Sequence, residues 1–200
     1  MQRRVYFFCG TSAVGKTTLL QSLDPKRFLI ESLSARTPRA KLGNPSFSDL
    51  IADHELAFKH QQFVFDFFVD EIYNILMRES RSQTDDRALV FERSLWDVAG
   101  YTSAFKLGGL LQLQADVVSG FDHQIQRGIW PQRTKWIQRI VRFEIDPKIP
   151  YAEDPARPNA AIRDSCDVSL TNMLRWHNDT TITPEQMLRL EEELSHDDNE

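Results

Sequence analysis

A glycine-rich segment near the start of the chain constrains the fold more than any other feature of the sequence. Residues 10–18 read Gly-Thr-Ser-Ala-Val-Gly-Lys-Thr-Thr, which is a complete GxxxxGK[ST] pattern. An apolar run at 5–9 precedes the pattern and an amphipathic stretch at 16–23 follows it, as expected for a loop between a buried strand and a helix. Glycines allow the backbone of such a loop to turn so that its N–H groups converge on phosphate oxygens. The segment therefore predicts a nucleoside triphosphate site in an α/β fold.

The residues at the end of this loop carry specific chemistry. Lys16 is expected to reach the β and γ phosphates, and the hydroxyl of Thr17 is expected to ligate Mg²⁺. The implied cofactors are a nucleoside triphosphate, ATP or GTP, and Mg²⁺. The candidate nucleotide contacts are Gly10, Thr11, Ser12, Ala13, Val14, Gly15, Lys16, Thr17 and Thr18.

Short apolar runs alternate with helical patterns along the rest of the chain. The apolar runs lie at 5–9, 28–30, 88–91 and 140–145, and the helical patterns lie at 16–23, 48–80, 97–106 and 110–127. A last helix is predicted to begin after Thr183, with Pro184 at its first position and Gln186 in a capping box, and to end near Leu194. This alternation predicts a mainly parallel sheet with right-handed crossovers.

Length, composition and charge favour one domain. The chain has 200 residues, of which 41% are hydrophobic and 26% are charged, and these values are typical of globular proteins. Residues 1–190 are predicted to form the domain, with a proline-dense lid region at about 147–165. Residues 191–200 contain six acids and no Lys or Arg, so they are predicted to be an acidic, frayed tail. The net charge of −5 then leaves +1 for the rest, which argues against a globally basic surface for nucleic acid.

The sequence also predicts the surroundings of the protein. The most apolar stretch, residues 63–77, is interrupted by three acids, so no membrane span is expected. Cys9 and Cys166 lie outside any disulfide or zinc pattern, and both are expected to be reduced thiols. We therefore expect a cytoplasmic protein. The oligomeric state cannot be inferred from these patterns.

Acidic residues follow the predicted strands. Glu92 closes the run at 88–91, and Glu31 closes the run at 28–30. Ligands of parallel α/β sheets collect at the carboxyl ends of the strands. Glu92 is therefore a candidate metal ligand beside Thr17, and Glu31 is a candidate base for an attacking hydroxyl. Either acid can instead be a solvated residue at the end of its strand.

A family resemblance adds to these assignments. Residues 91–97, Phe-Glu-Arg-Ser-Leu-Trp-Asp, followed by Tyr101, resemble the Glu-Arg-Ser segment of deoxynucleoside kinases and thymidylate-kinase-like enzymes. The resemblance implies a P-loop NTPase fold, a three-layer sandwich with helices on both faces of the sheet and a lid loop. It also implies that Glu92 serves the metal, that Arg93 binds the phosphoryl or acceptor region, and that Asp97 fixes the arginine or the substrate.

The same resemblance extends to the second strand. Glu31 matches the family position of the catalytic base, and Arg36 would contact the substrate or a phosphate. The sequence departs from the pattern here, because it lacks the proline that deoxynucleoside kinases usually carry after this glutamate. The preference for ATP over GTP is likewise implied only by the resemblance.

A second resemblance covers the predicted lid. Residues 143–151, together with Arg157 and Arg163, resemble the strand and lid of ribosylnicotinamide-kinase-like proteins. Lid arginines in those proteins close over the transferring phosphate, where charge spreads over oxygens that a planar guanidinium can contact. Arg157 and Arg163 are therefore catalytic candidates, and a solvated position in the loop is the alternative for each.

The segment from Trp130 to Trp136 interleaves aromatic and basic residues. Such a pattern can stack on a base and hold a phosphate, which makes Trp130 a candidate substrate contact. Packing of the tryptophans in the core is the favoured alternative.

Three functions agree with these residues. The leading hypothesis is an ATP- and Mg²⁺-dependent kinase that transfers the γ-phosphoryl group to a hydroxyl or phosphate of a nucleoside or nucleotide. The second is a kinase that acts on a hydroxymethylated pyrimidine within DNA, similar to the phage enzymes that phosphorylate hydroxymethyluracil in DNA. The third, from another class, is a regulatory switch that hydrolyses a nucleoside triphosphate to drive a partner.

Overall fold

The computed structural model describes residues 2–82, 85–127, 135–148, 151, 158–177 and 179–197. Its elements in chain order are β1 (Gln2–Cys9), α1 (Lys16–Ser22), β2 (Phe28–Glu31), α2 (Arg36–Lys41), α3 (Phe47–Ala52), α4 (His54–Arg81), β3 (Ala88–Phe91), α5 (Leu95–Ala104), α6 (Gly108–Arg127), β4 (Lys135–Arg142), α7 (Ala160–Leu174), a 3-10 turn (Arg175–His177), β5 (Thr181–Ile182) and α8 (Pro184–Asp197).

The strands form one five-stranded sheet in the order β2-β3-β1-β4-β5, and every neighbouring pair is parallel. Phe7 of β1 lies in register with Phe91 of β3 on one side and with Ile140 of β4 on the other. The side chains of β1 are buried from Val5 to Cys9, as expected for a central strand that is covered on both faces. The segment after β1 therefore begins at the middle of the sheet.

Helices cover both faces of this sheet. On one face, Phe7 belongs to the same core as Phe68 of α4 and Leu170 of α7. On the other face, Phe8 shares a core with Met187 of α8. Alternate residues of β1 thus enter two different cores because successive side chains of a strand point to opposite faces. The predicted three-layer α/β sandwich with a parallel sheet is confirmed.

Several predicted elements have different bounds in the structure. The helix predicted over 48–80 is two helices, because Asp53 has an extended backbone (φ −121°, ψ 103°) and caps α4 by accepting a hydrogen bond from the N–H of Leu56. The fourth strand runs over 135–142 rather than 140–145, and α2, α7 and β5 were not predicted. The helix α7 begins at Ala160, inside the segment predicted to be a lid loop.

The acidic end of the chain is also more ordered than predicted. The predicted start of α8 is confirmed, since the N–H of Thr183 donates to Gln186 at 2.7 Å in a capping box. The helix then continues to Asp197. Glu191 is only 2% exposed and accepts hydrogen bonds from Arg4 at 2.6 Å and from the hydroxyl of Tyr6 at 2.5 Å. The prediction that a frayed tail begins at residue 191 is therefore wrong.

Part of the aromatic and basic segment at 130–136 lies in the core. Trp136 is 2% exposed, and its indole N–H donates to Ser80 at 3.0 Å, so the core alternative holds for this tryptophan. Trp130 and Arg133 lie outside the described residues. Cys9 and Cys166 are buried free thiols. None of the described helices combines the length and the apolar character that crossing a membrane requires.

Candidate active site

The glycine-rich loop leaves the carboxyl end of β1 in a conformation that needs small residues. Gly15 has a φ of +90°, and Ala13 has a φ of 61°, so both lie in the left-handed region that side chains disfavour. A Cβ atom on Gly10 would lie 2.6 Å from the carbonyl oxygen of Phe143. The glycines at both ends of the pattern are thus required by the backbone itself.

Asp97 connects this loop to the start of α5. Its Oδ1 accepts from the N–H of Gly10 at 2.7 Å, and its Oδ2 accepts from the N–H of Ser94 at 3.1 Å within a capping box. The side chain is buried, at 2% exposure. The resemblance assigned Asp97 to the arginine or the substrate, but both of its oxygens are engaged by backbone groups. The geometry supports a positioning residue.

Tyr101, one turn further along α5, also contacts the loop. Its hydroxyl oxygen lies 3.3 Å from both the backbone nitrogen and the hydroxyl of Ser12. Burial raises the pKa of Tyr101 above its ordinary range, so the phenol stays protonated. The helix α5 therefore holds the loop at two points.

Lys16 is folded against the inside of the loop. Its ammonium group donates to the carbonyl oxygen of Gly10 and, at 2.8 Å, to that of Thr11. Burial lowers the pKa of Lys16 to about 8, with Arg93 acting in the same direction and Asp97 opposing it. Bound phosphates would favour the charged form. The Lys16 amine is therefore suited to bind an anion, such as a phosphate, beside the loop.

Thr17 and Glu92 face each other at the mouth of the loop. The Thr17 hydroxyl donates to Oε1 of Glu92 at 3.2 Å, so the sequence prediction that these two residues lie together agrees with this geometry. A hydroxyl and a carboxylate are hard oxygen donors, which fit Mg²⁺ bound by one or two protein groups plus phosphates and water. Among the described residues, no group of three or more His, Cys, Asp or Glu side chains forms another metal site.

A cleft of about 490 Å³ extends from this loop to α2 and α4. We call its two parts the loop half and the far half. The loop half consists of Thr11, Ser12, Ala13, Val14, Gly15, Lys16, Thr17, Thr18, Glu92, Arg93 and Asp97. The far half consists of Leu33, Ser34, Ala35, Arg36, Arg39, Phe47, His60, Gln61, Val64, Phe68, Val98, Tyr101 and Pro158. The predicted residues Arg36, Arg93 and Asp97 are therefore walls of one cavity.

Glu31 is placed differently from its predicted role. It lies at the end of β2, as expected, but its carboxylate forms an ion pair with Arg78 of α4. Glu31 is not one of the residues that line the cleft. The geometry therefore does not support Glu31 as a base that faces the acceptor.

The described lid candidate, Arg163, also does not line the cleft. The guanidinium of Arg163 lies 4.2 Å from the centre of the Tyr151 ring and pairs with Asp164 at 2.8 Å. The Tyr151 hydroxyl in turn donates to the carbonyl oxygen of Pro158 at 2.6 Å. Arg163 thus contacts Tyr151 and Asp164 and is not one of the residues that line the cleft. Arg157, the other lid candidate, lies outside the described residues, as does Trp130.

The far half contains polar residues that the sequence reasoning missed. His60 is 5% exposed, its Nδ1 lies 3.4 Å from the Gln61 amide, and its Nε2 has no hydrogen-bond partner. Burial lowers the pKa of His60 to about 4, so the ring is neutral. Gln61 also lies 3.4 Å from the Thr102 hydroxyl. The available signal was a pair of adjacent polar residues on the buried side of an otherwise phenylalanine-rich helix.

A second cavity, of about 430 Å³, lies on the other side of the loop. It is lined by Val14, by the end of β4 at Arg142, Phe143 and Glu144, and by residues 181–186. Its walls join the phosphate loop to the start of α8.

Comparisons with known proteins add little beyond this geometry. No protein-family model matches the chain, and no curated protein matches it in sequence. Among solved structures, a deoxyadenosine kinase from M. mycoides with bound dCTP is similar at 12% identity and a TM-score of 0.48. The match covers 99% of this chain and 98% of that one.

Proposed function

We propose that the protein is an ATP- and Mg²⁺-dependent kinase that phosphorylates a nucleoside or nucleotide. One observation carries the proposal: the loop half opens directly into the far half within one cleft. A phosphoryl donor seated on the loop would thus direct its γ-phosphate into a compartment able to hold a second molecule. A switch that only hydrolyses the nucleotide has no need of that compartment.

Thr17 and Glu92 are the residues proposed to hold Mg²⁺, because their oxygens already lie 3.2 Å apart beside the loop. The bound ion would neutralise charge on the β and γ phosphates. Glu92 would bind the ion directly or through a water molecule, and Thr17 would bind it through its hydroxyl.

Lys16 and Arg93 are proposed to contact the phosphates. The Lys16 ammonium would exchange the carbonyl oxygens of Gly10 and Thr11 for phosphate oxygens, which favour its charge more strongly. Arg93 lines the same half of the cleft and has no ion pair with a described residue. Its planar guanidinium suits the charge that spreads over the transferring group.

The second cavity is proposed to take the base of the nucleotide donor. It adjoins Val14 of the loop, and its walls include the apolar side chains of Phe143 and Ile182. Most of the other lining residues are polar or charged, so the cavity offers apolar side chains for the faces of a base and hydrogen-bonding groups for its edge. The proposed donor thus spans the loop, with its phosphates in the cleft and its base beside β5.

The test is phosphate transfer from ATP that is labelled on the γ-phosphate. The acceptors are nucleosides, nucleoside monophosphates, and DNA that contains either thymine or hydroxymethyluracil. A labelled small molecule is the expected result, and it should disappear in the Lys16→Ala variant. Rapid ATP hydrolysis with no labelled acceptor would instead favour the regulatory switch. Label on the modified DNA alone would favour the DNA kinase.

A further inference from the structure

The positive and negative side chains that line the cleft are distributed unequally between its two halves. Its acids are Glu92 and Asp97, and both belong to the loop half, where Asp97 is occupied by backbone N–H groups. The far half contains two arginines and, among its described residues, no carboxylate. A neutral acceptor would gain little from the positive potential of the far half, whereas an anionic acceptor would be attracted by it.

Arg36 is the arginine of the far half that is most available to bind an anion. It is exposed at the start of α2, it lines the cleft, and it makes no ion pair with a described residue. Arg39, one turn further, is held in place, since its Nε donates to the carbonyl oxygen of Pro45 at 2.7 Å and its guanidinium lies 5.2 Å from the Phe47 ring centre. Together they present guanidinium groups to the far half, and guanidinium forms paired hydrogen bonds with phosphate.

The position of Glu31 is an independent observation that points the same way. A hydroxyl acceptor must lose a proton and gains from a nearby base. The acid predicted for that task is paired with Arg78 and does not line the cleft. A phosphate monoester has a second pKa of about 6, so its oxygens are already ionised at neutral pH. Such an acceptor needs cations and no base, which is what the far half provides.

We propose that the acceptor carries a phosphate: it is a nucleoside monophosphate whose phosphate is bound by Arg36 and Arg93, and the product is a nucleoside diphosphate. This proposal rests on the kinase function proposed above. The nucleoside part would occupy the rest of the far half, against His60, Gln61 and Phe68.

The transfer then balances without a proton acceptor. An ionised oxygen of the acceptor phosphate forms a bond to the γ phosphorus of ATP, and the bond from that phosphorus to the β–γ bridging oxygen breaks. The bridging oxygen keeps the electron pair and leaves as part of ADP. Arg93, which lines the loop half of the same cleft, would contact both the acceptor phosphate and the transferring group.

The experiment compares each nucleoside monophosphate with its own nucleoside in the same coupled assay for ADP. Two charge-assisted contacts with the phosphate predict a kcat/KM about 100-fold higher for the best monophosphate. In the Arg36→Gln variant, the KM for that monophosphate should rise about tenfold. The matched control is Lys41→Gln, which removes a positive charge from the same helix at a residue that lies over the Phe63 ring and does not line the cleft. The KM should not change in this control.

The outcomes separate this proposal from the one on which it rests. A nucleoside that is phosphorylated as well as its monophosphate would overturn the assignment of the acceptor and leave the kinase function intact. Phosphorylation of modified DNA alone would do the same. ATP hydrolysis with no acceptor at all would overturn the kinase function itself. A monophosphate preference that is identical in wild type and Arg36→Gln would refute the role of Arg36.

Discussion

The backbone N–H of Gly10 donates to Oδ1 of Asp97 at 2.7 Å, so the first residue of the phosphate loop is held by a carboxylate on another helix. Asp97→Asn would keep the size of the side chain but direct its NH₂ group at the N–H of Ser94 or of Gly10. We expect the Kd for ATP to rise about tenfold and the free energy of unfolding to fall by about 2 kcal/mol, measured by calorimetry and urea denaturation.

The control for this variant is Asp49→Asn. Asp49 forms the same kind of capping box with Ser46 at the start of α3, but it is exposed and has no contact with the loop. The Asp49→Asn variant should have a lower free energy of unfolding and an unchanged Kd for ATP. Equal effects on ATP binding in the two variants would contradict the positioning role of Asp97.

Lys16 makes ATP binding depend on pH. Because burial lowers its pKa to about 8, the amine is charged below pH 8 and increasingly neutral above it. Bound phosphates raise this pKa, so binding above pH 8 must take up a proton. We expect ATP affinity to be constant from about pH 7 to pH 8, where the phosphates stay ionised, and to fall about tenfold per pH unit above pH 8. Titration calorimetry in two buffers with different ionisation enthalpies would measure the proton directly. An affinity that stays constant to pH 9 would refute the prediction.

Glu92 and Glu31 are expected to respond differently to removal of their charge. Glu92→Gln weakens the proposed metal site, so the Mg²⁺ concentration for half-maximal activity should rise about tenfold. Glu31→Gln removes an exposed ion pair with Arg78, which contributes little, and kcat should change by less than about threefold. Titration of initial rates with Mg²⁺ measures both. A kcat about 100-fold lower for Glu31→Gln would contradict this prediction and support Glu31 as the catalytic base.

Asp122 on α6 predicts a pH dependence of stability that is unrelated to the site. Burial raises the pKa of Asp122 to about 7, although Gln138 donates to it at 2.7 Å, and His177 lies 3.3 Å from its other oxygen. Folding therefore favours the protonated acid. The stability that this protonation contributes is fully present below the unfolded pKa, near 4, and is lost as the pH rises through 7.

The variant Asp122→Asn should accordingly be close to wild type at pH 4 and more stable by a few kcal/mol above pH 7. Urea denaturation across this pH range measures the difference. Asp116→Asn, at an exposed position on the same helix, should show no such trend. A constant difference between Asp122→Asn and wild type would contradict the raised pKa.

Local sequence patterns predicted the structural features that are determined by residues close together in the sequence. The loop at 10–18 follows from its glycines, and the approach of Glu92 to Thr17 follows from the rule that strand ends share one edge of a sheet. The break at Asp53 escaped prediction because an apolar helical pattern continues across it. The helix α7 escaped because it begins directly after a proline-dense segment, where helix signals are weak.

Residues whose roles depend on distant partners could not be predicted. Glu31 has the position of a base, but Arg78, which turns its carboxylate away, lies 47 residues further along the chain. Glu191 sits in an acidic run that is typical of a solvated tail, yet Arg4 and Tyr6 bury it. In both cases the sequence contains the charge, and only the fold shows which opposite charge it meets.

The burial of Glu191 has a consequence for the order in which the fold forms. Arg4 and Tyr6 belong to β1, and their carboxylate partner on α8 lies 187 and 185 residues further along the chain. Bringing together residues that are so far apart in sequence costs loop-closure entropy before the contact contributes any stability. We therefore expect the contact between α8 and β1, the strand that leads into the phosphate loop, to form late in folding, when most of the sheet is already in place.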